Sequence, residues 1–100
     1  MNMLNSLILE GNIAKDVKIK EKENGKEIAV FSVSYTRYYK TIDGEQASEN
    51  YIFEVECYGH MVLLARDFCK NNRGIRIVGR LKQEGEKVFV VAEHMEFKAK

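Results

Sequence analysis

Polar and apolar residues alternate from Ile28 to Tyr39, with Phe31, Val33 and Tyr35 on one side and Ser32, Ser34 and Thr36 on the other. That period of two predicts a half-buried strand. Tyr51 to Tyr58 repeats it, setting Phe53, Val55 and Cys57 against Ile52, Glu54, Glu56 and Tyr58. Ile75, Ile77, Gly79 and Leu81 likewise oppose Arg76, Val78, Arg80 and Lys82, and a tight turn at Glu84-Gly85-Glu86 leads into Val88 to Phe97. At the start of the chain, an apolar stretch from Leu4 to Glu10 is expected to end at Gly11-Asn12. A polar arm from Ile13 to Lys22 follows, with Ile13, Val17 and Ile19 as its apolar points. One segment departs from alternation. Between His60 and Asn71, Met61, Leu64, Ala65 and Phe68 recur at the three- and four-residue spacings of a helix stripe. Lys70 suits its last turn, and Gly74 is the expected stop.

The chain has seven glycines and no proline, so its turns fall to glycine, asparagine and aspartate. Asn24-Gly25, Asp43-Gly44 and Glu84-Gly85 each lie between apolar stretches, as hairpin turns do. The order is therefore three strands, a short helix and two strands. So few twisted strands are better closed into a barrel than stacked as two sheets. A helix between the third and fourth strands plugs one end of such a barrel in the OB-fold. The predicted class is all-β with one short helix, a five-stranded OB-fold barrel in a single domain over residues 1–100. A chain of 100 residues leaves no room for a second domain. With 45% hydrophobic and 31% charged residues it folds rather than staying disordered.

A formal net charge of +1 excludes a polycation, so any affinity for nucleic acid rests on local patches. Two segments qualify. No acid occurs between Ile28 and Ile42, where Arg37 and Lys40 flank Tyr35, Tyr38 and Tyr39. None occurs between Phe68 and Gln83, which holds Lys70, Arg73, Arg76, Arg80 and Lys82. Cations neutralise phosphates, and aromatic faces stack the unpaired bases that a duplex hides. A soluble sheet carries tyrosines and outward cations anyway, so at this point both readings stand.

Catalysis finds little support. His60 and His94 are the only histidines, both cysteines sit at apolar positions, and the glycines never cluster into a phosphate loop. Cys57 and Cys69 are too few and too far apart for a metal knuckle, and read as buried free thiols of a reducing cytoplasm. No cofactor or metal is expected. The longest apolar run, Met61 to Ala65, is too short for a membrane span, and the chain opens without the pattern of a signal peptide.

Four segments in order, Leu7-Ile8-Leu9-Glu10-Gly11-Asn12-Ile13, Phe31-Ser32-Val33-Ser34, Tyr58-Gly59-His60 and Ile77-Val78-Gly79-Arg80-Leu81, resemble the signatures of bacterial single-stranded DNA-binding proteins. The likeness runs from about Asn5 to Phe97. It implies an OB-fold and places the family's stacking aromatics at Tyr39, with Tyr38 beside it, at Tyr58, and at Ile52, where the aromatic is replaced. Arg37, Lys40, Arg76, Arg80 and Lys82 are expected as phosphate partners by position and charge.

This chain departs from the resemblance at Asp16-Val17, where the family has Asp-Pro, and around Gly85, where a longer arm is cut short. The family's acidic, Phe-ended tail has no counterpart before Lys100, so recruitment of replication and repair proteins by that route is not expected. Single-stranded DNA is the expected partner, bound by a homotetramer or homodimer. Strand one, Leu4 to Glu10, is read as the unprotected edge through which copies pair. A primosomal replication protein-like OB-fold dimer, or an OB module that binds protein, is the alternative.

Overall fold

The computed structural model describes residues 3–22 and 24–99. Its elements are β1 (Leu7–Glu21), β2 (Glu27–Lys40), β3 (Gln46–Tyr58), α1 (Met61–Phe68), β4 (Gly74–Glu84) and β5 (Lys87–Phe97). The strands close in the order β1-β2-β3-β5-β4, the five-stranded OB-fold barrel that the pattern predicts. Neighbours pair antiparallel except β3 and β5, which run parallel and meet at only two positions, Val55 with Val90 and Glu56 with Val91. Ile13, Phe31, Val33, Val55, Ile75, Ile77 and Val90 fill the interior together with the free thiols Cys57 and Cys69.

Three elements differ from expectation, each for a packing reason. β1 is one strand and does not break at Gly11-Asn12. A Cβ on Gly11 would overlap the Ser34 carbonyl oxygen, so the glycine serves a close strand crossing rather than a turn. Leu7 to Asn12 pair with β4, and pairing with β2 begins only at Asn12 opposite Ser34, then slips twice before Lys18. Strand one is therefore not an open edge on its β4 side. On the other side, residues 7–11 have no strand partner among the described residues.

The helix is shorter than predicted and presents a different stripe. Val62 and Ala65, followed by Cys69 just beyond the helix, are buried against the barrel end, while Leu64 and Phe68 face outward. The Cys69 N–H donates to the Ala65 carbonyl at 2.9 Å and ends the helix well before Gly74. Asn72, at φ 69°, turns the chain, and Gly74 opens β4 instead of stopping the helix.

β3 begins at Gln46 rather than Tyr51, because its pairing with β2 continues from Tyr35–Tyr51 out to Lys40–Gln46. Residues 34–40 and 46–52 thus form a two-stranded ribbon beyond the barrel, closed at Asp43-Gly44 with Gly44 at φ 84°. Its polar returning strand lacks the apolar alternation by which a strand is recognised. The Asn24-Gly25 and Glu84-Gly85 turns stand where predicted, their glycines at φ 79° and 61°.

Candidate nucleic-acid interface

Odd-numbered residues of β2 and β3 point toward the core, so Ser32, Ser34, Thr36 and Tyr38 on β2 share an outer face with Ile52, Glu54, Glu56 and Tyr58 on β3. Tyr38 and Ile52 are 77% and 62% exposed, which leaves both side chains accessible to a ligand on this face. The face continues through Phe89 on β5, which pairs opposite Lys82 on β4. Phe89 was not among the sequence-derived candidates. Its signal was the hairpin itself, since a turn at Glu84-Gly85 sets it across from Lys82.

Tyr39 and Arg37 are not on this face. They project from the opposite side of the ribbon, where the Arg37 guanidinium lies 4.9 Å from the Tyr39 ring centroid and 2.9 Å from Glu49. Hydrogen bonding from Tyr51, then from Arg37, holds the Glu49 carboxyl below its usual range. Tyr35, Tyr51 and Phe53 stack along the same side at 6.3 and 6.2 Å. The ribbon therefore carries Tyr38, Lys40 and Ile52 on one side and Arg37 and Tyr39 on the other.

Arg76, Arg80 and Lys82 do share the outer face of β4, but acids from neighbouring strands fill the gap seen in the sequence. Arg76 stands between Glu10 on β1 and Glu96 on β5 in the strand register. At Val78/Gly79 a bulge inserts Glu93 on β5, and its carboxylate comes within 3.8 Å of Arg80. Lys82 pairs with Glu56 at 3.3 Å and Glu84 at 3.1 Å. A second row of cations lies on β1. Lys15 is opposite Ser32, Lys18 opposite Val30 and Lys20 opposite Ile28, all exposed along the flank of the same face. Lys22 extends the row, its ammonium 5.6 Å from the Tyr58 ring centroid. Among the described residues, Lys15, Lys18 and Lys20 enter no ion pair. The sequence carried this signal too, as lysines alternating with Val17 and Ile19.

At the centre, the Tyr58 hydroxyl bonds the carboxylate of Glu56, a side chain only 8% exposed as a residue, and accepts from Lys82 Nζ at 3.2 Å. Burial first, and the bond to Glu56 second, raise the Tyr58 pKa. Hydrogen bonds to Glu84, Tyr58 and Glu56 hold the Lys82 ammonium above its usual range. Burial pushes the Cys57 and Cys69 thiols up to about 11 and about 12, which leaves neither as a thiolate near neutrality. Among the described residues, no three His, Cys, Asp or Glu side chains gather to hold a metal, and no helix is long and apolar enough to cross a membrane.

Residues 4–97 match the family model described as Single-strand binding protein family. The chain is 32% identical to the single-stranded DNA-binding protein of Wolinella succinogenes over 82 residues, covering 82% of this chain and 51% of that one. It is 31% identical to that of Aquifex aeolicus over 104 residues, covering 93% and 69%. The chain thus spans about half the length of some curated relatives it matches. Among solved structures, the Plasmodium falciparum SSB complex with ssDNA superposes with a TM-score of 0.88 at 17% identity, covering 99% of this chain and 98% of that one. The Thermus aquaticus single-stranded DNA binding protein gives 0.81 at 20% identity, covering 96% and 50%.

Proposed function

The chain belongs to the single-strand binding protein family, and on that premise we propose that it binds single-stranded DNA without sequence preference, protecting it during replication, recombination and repair. The observation that carries this reading is the outer face of the sheet, which Tyr38, Ile52, Tyr58 and Phe89 share with the β1 lysine row. Aromatic faces stack any base and lysines meet any phosphate, so such a surface takes single strands of every sequence. Tyr38, Ile52 and Tyr58 are the proposed base contacts, and Lys40, Arg76 and Arg80 join Lys15, Lys18 and Lys20 as proposed phosphate contacts. Arg37 and Tyr39 belong to the reverse side of the ribbon, and meet a strand only if it wraps around that edge.

The same reading makes the chain a one-domain binding module of the cytoplasm rather than an enzyme, in keeping with two buried, protonated thiols. It also makes the chain a homo-oligomer, dimer or tetramer, since residues 7–11 of β1 leave one side unpaired. Light scattering that finds only an 11.6 kDa species at tens of micromolar overturns the oligomer. Fluorescence anisotropy with labelled oligo-dT and with duplex of equal length tests the binding. The expected result is a preference for the single strand by orders of magnitude, weakening steeply with salt. Equal affinity for both forms overturns the reading.

A further inference from the structure

Lys82 sits among the proposed DNA contacts, yet its bonding leaves nothing for a phosphate. An ammonium has three N–H donors. Those of Lys82 meet Glu84 Oε1 at 3.1 Å, Tyr58 Oη at 3.2 Å and Glu56 Oε1 at 3.3 Å. Two carboxylates face this one ammonium, so its charge is already offset before a phosphate arrives. The ammonium is also 3.2 Å from the Tyr58 oxygen but 5.7 Å from its ring centroid. It therefore lies out past the hydroxyl rather than over the middle of a ring face. The same nitrogen is 5.6 Å from the Phe89 ring centroid.

Resting on the single-strand reading above, we infer that Glu56 and Lys82 are positioning residues that clamp the hydroxyl end of Tyr58 and so hold its ring, across the β3–β5–β4 surface, in the orientation a base stacks upon. The clamp joins β3 to β4 over the intervening β5, which explains a nearly buried carboxylate on a face otherwise suited to anions. Glu56 without Lys82 would be an uncompensated buried charge, and Lys82 without Glu56 would be free to reach solvent. Lys82, expected from the sequence as a phosphate partner, acts instead through Tyr58, as Glu56 does.

Glu56→Gln separates the possibilities by sign. If Lys82 is a phosphate contact restrained by Glu56, this variant binds oligo-dT more tightly and with a steeper salt dependence. If Glu56 and Lys82 position Tyr58, affinity falls about three- to tenfold, the worth of one network hydrogen bond, while the salt slope is unchanged. In a Tyr58→Ala background, Glu56→Gln is then expected to add no further loss. Tyr58→Phe, which removes only the hydroxyl and leaves both charges paired, gives the same loss and serves if Glu56→Gln fails to fold. Tighter binding, unchanged affinity in both single variants, or an equal loss in the Tyr58→Ala background overturns the inference. If wild-type protein binds oligo-dT no better than duplex, it is the single-strand reading itself that has failed.

Discussion

Tyr38 and Tyr39 are neighbours in the chain and stand on opposite sides of the β2–β3 ribbon, Tyr38 on the side that carries Ile52 and Tyr39 beneath the Arg37 guanidinium. Tyr38→Ala is expected to cost roughly 1–3 kcal/mol of affinity for oligo-dT, the worth of one stacked base, without changing the salt slope. Tyr39→Ala is expected to cost less than half as much. Parallel anisotropy titrations of the two variants decide between them, and the reverse order would place the strand on the other side of the ribbon.

The β1 lysines are the next test. Lys18→Ala and Lys20→Ala are each expected to flatten the slope of log K against log salt by about 0.7, the value for one phosphate contact on a single strand. Arg80→Ala is expected to flatten it less, because Glu93 already faces that guanidinium. Titrations from low to moderate salt read this directly.

Ile52 occupies the outer face where the family carries an aromatic. Ile52→Trp is expected to tighten binding by roughly 1–3 kcal/mol through an added stacking platform, with little effect on folding because the site is exposed. Quenching of the new indole by oligo-dT supplies both the affinity and proof of contact.

Gly11→Ala and Gly79→Ala are expected to destabilise the barrel by about 1–3 kcal/mol each, since the added methyl meets the backbone carbonyl of Ser34 or of Val91. Urea melts measure the loss. Gly85→Ala is a useful control, because nothing crowds its Cβ position and the cost there is only that of a positive φ.

Cys57 and Cys69 give the folded barrel an alkaline limit. Their pKa values rise from the ordinary 9 to about 11 and about 12, so between these values the unfolded chain loses protons that the folded one keeps. Stability from this source is complete below about pH 9 and falls as pH rises toward 11. Chemical denaturation at pH 7, 9 and 10.5 is expected to show that decline, and Cys57→Ala with Cys69→Ala is expected to reduce it.

The barrel was legible because strands whose one face is buried announce themselves by alternation, and β2, the barrel half of β3 and β4 all did so, while β5 followed from the Glu84-Gly85 turn before it. The ribbon was not, since Gln46 to Asn50 bury nothing and their pairing is set by the opposite strand. Gly11 misled for a related reason: a glycine needed for close approach looks the same in sequence as one that turns the chain. The site was half visible. Tyr58 and Ile52 followed from the family resemblance, with the parity of β3 setting them on one side, whereas the acid-free stretch around Arg76 and Arg80 overstated a basic patch, because Glu10, Glu93 and Glu96 arrive from β1 and β5. One of those, Glu93, arrives through a bulge that no period-two count anticipates.

The barrel closes between β3 and β5 through only Val55–Val90 and Glu56–Val91, the shortest strand contact in the sheet. Breathing is easiest at such a join, so the amides there are expected to exchange with solvent sooner than those of the long β2–β3 pairing. On the proposed binding mode, a single strand lying across Tyr58 and Phe89 would bridge that join from outside, touching β3 and β5 at once. Occupancy would then act as a splint: bound DNA would slow opening at the place where the empty barrel most readily comes apart, and its affinity would include the free energy of holding it shut.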